Sequence, residues 1–340
     1  MIPESKSNPT AFIVLNPVAG STNAQALKRT IEKRFFQYGW KTRFHITTAD
    51  ETIASLVRQE LDKGVDLVVA VGGDGTIAAV AAGMVHSPIP LGIIPTGTWN
   101  AIARHLGVPF NVPRAVKVIT GNHKIKKLDL MAVGDTYQAM NLSIGVSSSM
   151  IAGTGRNEKR LWGNIAYFSQ LFKQIFGLQQ HRYTIIADGM RYRGRAAEIF
   201  VANYGIVGMN AIEAALAIKP DDGMVDVLIL RARTIFDLPS LFWQILVRRN
   251  KLTPKYRQIT VNNSLVIHTS PPEIVQSDGE IIGKTPVSIK VLPRCVNVII
   301  PQPRQITLPS QVNLNLPVIK RVKENNRPIS NCLEYNDAKE

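Results

Sequence analysis

The stretch VAVGGDGTIAAV, from Val69 to Val80, joins a short apolar run to a glycine-rich turn and a helix-like continuation. Glycines allow a close backbone approach, and a helix N-terminus directs free N–H groups at an anion, so this pattern predicts a phosphate site. Asp74 places a carboxylate in the middle of the turn. Either it serves a metal ion that accompanies the phosphate, or it is the N-cap of a helix that begins near Thr76. The two interpretations are compatible.

The same strand–turn–helix pattern occurs three times in the first hundred or so residues. Apolar runs at Ala11–Leu15, Leu67–Val71 and Pro90–Ile94 are followed by the turns NPVAGST, GGDGT and PTGTWN, and then by helical segments. Runs of about five apolar residues that alternate with helices are typical of a buried parallel sheet. Ligands of such sheets bind at the carboxyl ends of the strands, where all three turns are expected to lie. The pattern predicts an α/β nucleotide-binding domain with a mostly parallel sheet.

Beyond Lys124 the pattern changes to short alternating segments that are separated by Asp-Gly and similar turns. This texture predicts a β-rich domain, an antiparallel sandwich-like structure. We therefore predict an α/β domain over residues 1–124 and a β-rich domain over 125–301, whose last strand is able to return to the first domain. Residues 302–340, rich in Pro, Asn and charge, are expected to form a largely disordered tail.

Composition narrows the classes of partner. The 340 residues are 45% hydrophobic and carry a formal net charge of +15, which favours an anionic membrane surface, a phosphorylated ligand or nucleic acid. No nucleic-acid-binding module is recognisable, so we expect no nucleic acid. Two cysteines and scattered histidines argue against a disulfide framework and a zinc site. Without a signal-peptide pattern or a run of about 20 apolar residues, a cytoplasmic protein is expected.

Two segments combine aromatic and basic residues at helical spacing, Glu158–Phe176 and Ile235–Arg249. Such segments suit an anionic membrane interface. The simpler interpretation is that they are amphipathic helices that cover a β core and expose a solvated charged face. We expect a location peripheral to the membrane, and we leave a homodimer open.

The three turns resemble the motifs of the diacylglycerol kinase and sphingosine kinase family of lipid kinases. NPVAG resembles the first motif of the family, GGDGT the signature, and PTGTWNAIARHLGVP the third motif. GGDGT alone is shared with NAD kinases and phosphofructokinases, whereas the three in order are specific. The resemblance, closest to diacylglycerol kinases of the bacterial type, continues to about Pro301. It implies a lipid kinase that uses ATP and Mg²⁺, with a membrane lipid as substrate. By this resemblance residues 1–124 would be the ATP-binding domain and residues 125–301 the lipid-acceptor domain.

The resemblance also implies site residues. Those expected to bind ATP are Asn16, Pro17, Gly20, Thr47, Gly72, Gly73, Asp74, Gly75, Thr76, Thr98 and Asn100. Thr48 competes with Thr47 for its position. The catalytic residues would be Asp74, which serves the catalytic magnesium through water, and Glu280, which accepts the proton of the lipid hydroxyl. A structural magnesium would be held by Lys219, Asp222 and Met224, and Asp221 could replace Asp222 as the ligand. The alternative is that this loop is a plain Asp-Gly turn that binds no metal.

Departures from the family pattern bear on the acceptor. Ala101 stands where bacterial-type relatives usually have Asp, Ala79 where many have Glu, and Val146 and Ser147 replace an aromatic residue and an acid. The Asn-Ala pairing is more like that of sphingoid-base kinases. The overall resemblance makes diacylglycerol the first expected acceptor, and the Asn-Ala pairing makes a sphingoid base the second. The alternatives are an NAD kinase-like enzyme and a catalytically weak regulator that binds lipid or nucleotide.

Overall fold

The apolar runs of the N-terminal half form adjacent parallel strands. The computed structural model describes residues 8–18, 23–48, 51–145, 180–204, 218–232, 237, 243, 255–277 and 280–302. The elements of the first part are β1 (Thr10–Leu15), α1 (Ala24–Gln37), β2 (Lys41–Ile46), α2 (Ile53–Asp62), β3 (Leu67–Gly72), α3 (Asp74–Gly83), β4 (Leu91–Pro95), α4 (Ala101–His105) and α5 (Val112–Thr120). The strands lie in the order β2-β1-β3-β4, all parallel.

The later part of the chain is built of strands. They are β5 (His123–Val133), β6 (Thr136–Gln138), β7 (Asn141–Gly145), β8 (His181–Ala187), β9 (Met190–Ala196), β10 (Glu198–Ala202), β11 (Val225–Leu230), β12 (Tyr256–Val261), β13 (Ser264–Ser270), β14 (Ile274–Ser277), β15 (Glu280–Lys284) and β16 (Val287–Pro301). One sheet, sheet B, has the order β12-β11-β10-β7-β14-β15 and is antiparallel. The parallel strands belong to the other, sheet A, which continues through β16, β13 and β8 to β9.

Strand β16 joins the two parts of sheet A. Its first half pairs antiparallel with β13, and near its end Val298 lies parallel to Leu91 of β4. Along its other edge it pairs with β5, with an irregularity between Leu292 and Val296. The described residues lie in one compact unit that ends at Gln302. The predicted domain boundaries at 124 and 301 stay a prediction.

Both faces of the parallel strands β1, β3 and β4 are buried, which explains their continuous apolar sequences. Ile13, Val69 and their neighbours pack against α1 and α5, whereas Val14 and Ala70 on the opposite face pack against residues of α2, α3 and α4. A third core lies between the antiparallel strands of sheet A and the inner face of sheet B. The predicted fold class, a mostly parallel α/β part followed by an antiparallel sandwich, is confirmed.

Within the described ranges, no helix combines the length and apolarity needed to cross a bilayer. The predicted amphipathic segment Glu158–Phe176 and the predicted tail beyond Gln302 lie outside the described residues, as does most of Ile235–Arg249.

Candidate active site

The three glycine-rich turns meet at the carboxyl ends of β1, β3 and β4. The Asn16 N–H donates to the Val71 carbonyl, and the Thr96 N–H donates to the Gly72 carbonyl, each at 3.0 Å. Across the first two turns, Asn16 Nδ2 donates to Thr76 Oγ1 at 3.0 Å. The structure therefore brings the predicted residues Asn16, Gly72–Thr76, Thr98 and Asn100 to one edge of the sheet.

Two of these turns touch through their backbones, and the contact requires glycine at position 97. A Cβ added at Gly97 would lie 2.5 Å from the Gly73 Cα, which no real contact of this kind reaches. A Cβ at Gly72 would lie 2.5 Å from Thr76 Oγ1. Gly75, in contrast, is exposed and faces open space. The close packing of Gly73 on Gly97 fixes the relative position of the turns, while the N-terminus of α3 stays open to a ligand.

Asp74 is the first residue of α3, and Gly73 is the N-cap. The expectation of a helix beginning near Thr76 with Asp74 as its cap is therefore wrong. The Asp74 carboxylate instead accepts the N–H of Ile102, in the first turn of α4, through Oδ1 at 3.0 Å. Within the described residues its Oδ2 accepts no hydrogen bond, so this half-buried carboxylate keeps one oxygen for a ligand or metal ion.

The turn after β4 is shaped by Asn100. This residue is 6% exposed and left-handed at φ 47°, and its side chain accepts from the Gly97 N–H at 2.9 Å and donates to the Gly97 carbonyl at 2.7 Å. Both of its polar groups are thus used within the turn, and Asn100 positions the turn. Thr98 is exposed beside it.

Thr96 is a residue that the sequence reasoning missed. Its Oγ1 is buried and has no hydrogen-bond partner in the described part of the chain. A buried hydroxyl without a partner is costly, so it is a group that a bound ligand or water would satisfy. The one sequence signal is its place in PTGT, directly after the strand.

The remaining predicted nucleotide residues lie at the same edge or outside the described residues. Thr47, directly after β2, is 9% exposed, and its N–H donates to the Leu15 carbonyl at 2.9 Å. Thr48 is exposed and held at its N–H by Glu51. Pro17 follows Asn16 and is half-buried, and Gly20 lies outside the described residues.

The predicted structural metal loop lies between Lys219 and Met224. Asp222 accepts the Met224 N–H at 3.1 Å, and Asp221 pairs with Lys126 at 3.0 Å. Burial raises the pKa of Asp222, and the nearby carboxylates of Asp226 and Asp221 add to the rise. Carboxylate oxygens in a partly buried loop are donors that fit Mg²⁺.

Side chains alone do not complete this loop as a metal site. Within the described ranges no group of three or more His, Cys, Asp or Glu side chains is placed to hold a metal ion. Magnesium there would need main-chain carbonyls such as those of Lys219 and Met224, in addition to the Asp222 carboxylate.

Asp129, which the sequence reasoning also missed, anchors this loop. It is fully buried on β5 and accepts the N–H groups of Gly223 and Arg294, each at 2.6 Å. Burial raises the pKa of Asp129 against these two hydrogen bonds. Asn203 holds the Asp129 carbonyl at 2.8 Å. An acid inside the apolar run LDLMA was the available signal, because a buried carboxylate needs partners.

Glu280 begins β15, the strand at one edge of sheet B. Its side chain is exposed and has no hydrogen-bond partner within the described residues. It is therefore accessible to an acceptor that approaches from outside. Its role as a base stays a prediction.

Comparisons with known proteins agree with this arrangement. The family model of the diacylglycerol kinase catalytic domain matches residues 10–133, and that of the YegS C-terminal NAD kinase beta sandwich-like domain matches 128–300. A Staphylococcus carnosus protein provisionally named a lipid kinase is 31% identical over 231 residues, 67% of this chain and 74% of its own.

A longer match and a solved structure extend the likeness. The Synechocystis protein sll0036 is 27% identical over 307 residues, 86% of this chain and 70% of its own. A crystal structure of a diacylglycerol kinase from Bacillus anthracis strain Sterne superposes with a TM-score of 0.69 at 25% identity, over 87% of this chain and 98% of that one. The fold, the order of the three turns and these matches together place the chain in the diacylglycerol kinase family of lipid kinases.

Proposed function

We propose that the chain is an ATP- and Mg²⁺-dependent lipid kinase that transfers the γ-phosphate to a hydroxyl of a membrane lipid. Diacylglycerol is the first acceptor and a sphingoid base the second. The observation that carries the proposal is the backbone contact of Gly73 with Gly97, which holds the open N-terminus of α3 beside the turn after β4. Phosphoryl transfer depends mainly on positioning and electrostatics, and this packing supplies the positioning.

The phosphate chain of ATP would lie across the three turns. Free N–H groups at the start of α3, where Gly75 faces open space, are the donors that an anion meets at a helix N-terminus. The buried Thr96 hydroxyl and the exposed Thr98 lie in the neighbouring turn. Asn100 acts indirectly, since its side chain is occupied by Gly97.

Asp74 is the residue that would serve a catalytic magnesium, through water and its second carboxylate oxygen. Magnesium, when bound, neutralises the negative charge of the transferred phosphate. The loop of Lys219, Asp222 and Met224 would hold a second, structural magnesium that ties β11 to its preceding turn. Both assignments use oxygen donors, as Mg²⁺ requires.

The acceptor's hydroxyl oxygen would attack the γ-phosphorus while the bond from that phosphorus to the bridging β,γ-oxygen breaks, which releases ADP. Glu280, an exposed carboxylate at the edge of sheet B, would receive the hydroxyl proton. A lipid acceptor requires contact with a bilayer, and the net charge of +15 favours an anionic one. In this proposal the chain is cytoplasmic, associates with the membrane peripherally and has no nucleic-acid partner.

The test is transfer of labelled γ-phosphate from ATP, with Mg²⁺, to a panel of hydroxyl lipids in mixed micelles. The panel contains diacylglycerol, monoacylglycerol, ceramide, a sphingoid base and phosphatidylglycerol, and NAD is offered in a parallel reaction. NAD is included because the second matching family model is described as NAD kinase-like. Chelation of Mg²⁺ is the control.

One labelled lipid, lost on chelation, is the expected result and names the acceptor. Label on NAD would replace the lipid with a dinucleotide as substrate. Nucleotide binding without label on any acceptor would contradict the kinase and favour a regulator, in line with Ala79 and Ala101.

A further inference from the structure

A pocket of about 590 Å³ lies at the β9 end of sheet A, four strands beyond β4. It is lined by Arg193 and Arg195 of β9, by Arg231 directly after β11 and by Lys255 directly before β12. Arg231 lies at the end of β11 and Lys255 at the start of β12, and these strands are four and five strand spacings, about 19 and 24 Å, from β15, where Glu280 lies. A volume of this size is in the range of small-molecule sites.

The lining is strongly basic. It contains four cationic side chains and one acid, Asp237, which pairs with Lys255 at 2.9 Å. None of the three arginines forms an ion pair in the described part of the chain. Arg195 also lies directly across from Arg182 of β8, and like charges in directly opposed strand positions destabilise a sheet.

Arg231 is held in place by its surroundings. Its carbonyl accepts Gln180 Nε2 at 2.7 Å, its N–H donates to the Lys255 carbonyl at 2.8 Å, and Nη2 donates to the Tyr183 hydroxyl at 3.3 Å. Its Nε is buried and, within the described residues, has no hydrogen-bond partner. A fixed guanidinium with an unused buried donor is preorganised for an anionic acceptor.

We propose that this pocket binds the phosphate group of an anionic ligand, at a site separate from the candidate active site. Guanidinium groups match the geometry of phosphate through paired N–H donors, and a phosphate would relieve the repulsion around Arg195. The phosphate belongs either to a lipid headgroup or to a soluble phosphoester. The proposal does not depend on kinase activity.

A charged strand face that is merely solvated is the competing explanation. It accounts for Arg193 and Arg195, which are exposed, but it does not account for the Arg231 guanidinium that Tyr183 holds beside the same pocket. The two explanations differ in one respect that can be measured. A solvated face gives no preference to these arginines over other exposed cations of the sandwich.

The experiment compares two doubly substituted full-length chains of equal charge. Arg193→Gln with Arg195→Gln removes the exposed cations of the pocket, and Arg191→Gln with Lys290→Gln removes two exposed strand cations outside it. Binding to glycerol 3-phosphate is measured by calorimetry, and binding to phosphatidylcholine vesicles with and without phosphatidate by co-sedimentation. Thermal unfolding confirms that both variants are folded.

The expected result is a loss of about tenfold or more in affinity for the pocket variant, against about twofold or less for the control pair. A pocket-dependent loss with glycerol 3-phosphate identifies a soluble phosphoester as sufficient, and one confined to phosphatidate vesicles identifies a lipid headgroup. Equal losses in the two variants, or no loss in either with both probes, would overturn the proposal.

Discussion

Replacement of Gly97 by alanine is predicted to separate the turns after β3 and β4, whereas the same replacement at Gly73 is not. A Cβ on Gly97 would lie 2.5 Å from the Gly73 Cα, whereas a Cβ on Gly73 would lie 3.4 Å from the Gly97 Cα, an ordinary contact distance. The turns of the Gly97→Ala chain must therefore move apart by the difference between these two distances, 0.9 Å. Because the obstructing atom is backbone, no side chain can rotate out of the way.

The expected cost of Gly97→Ala is about 1–3 kcal/mol of unfolding free energy, the range for overpacking a close-packed site. For Gly73→Ala we expect less than about 1 kcal/mol, since its φ of −88° suits any residue. Guanidinium unfolding followed by circular dichroism measures both values. A shift of about 1 Å in the turns is also expected to lower phosphate transfer about a hundredfold. Equal stabilities for the two variants would refute the reasoning, since a Cβ at Gly97 meets Gly73 and Asn100 below 3.0 Å whereas a Cβ at Gly73 meets nothing below 3.4 Å.

Three further predictions concern single side chains. Asp129→Asn is expected to lower the free energy of unfolding, measured with denaturant, by about 2 kcal/mol, because an amide has one acceptor oxygen for two buried backbone donors. An unchanged denaturation midpoint would contradict this. Partial burial of Asp188 opposes ionisation, but hydrogen bonds from residues 262–264 outweigh it and lower the pKa of this carboxyl. The free energy of unfolding of the wild type should therefore exceed that of Asp188→Asn by about 1 kcal/mol at pH 7, an amount limited by solvent screening. The difference should vanish as the pH falls below the ordinary pKa of 3.8 and then through the lower pKa of the folded state. Burial raises the pKa of Cys295 to about 11, so in a Cys332→Ser chain a thiol reagent at pH 8 should react only after unfolding, and rapid labelling of the folded chain would contradict this burial.

The parallel strands could be predicted because burial on both faces leaves an apolar run that is visible in the sequence. Strands β1, β3 and β4 have this property, and each lies within a residue or two of its predicted bounds. Strand β2, KTRFHI, was not predicted. It is an edge strand with no fully buried residue, so its sequence keeps charged positions and no simple run.

The turns could be predicted as a group, but the work done by individual side chains could not. The hydrogen bond from Ile102 to Asp74 joins residues 28 positions apart, and no local pattern encodes it. The sequence predicts Asn100 beside the nucleotide, yet both polar groups of its side chain form hydrogen bonds with the Gly97 backbone, because a left-handed Asn can fold back on its own turn. The contact between Ile102 and Asp74 depends on how α4 packs against α3, which is a tertiary property, whereas the contacts of Asn100 are local to its turn.

Transfer of labelled γ-phosphate to diacylglycerol by the wild type and by Asp74→Asn is the most direct test of an active site at the three turns. Asparagine keeps an oxygen that can accept the Ile102 N–H, so the variant should stay folded while it loses the negative charge. We expect labelled phosphatidate from the wild type, and from the variant a rate that is lower by about a hundredfold or more. Equal rates from the two chains, with ATP bound by both, would contradict a role for Asp74 in phosphate transfer and an active site at this edge of the sheet.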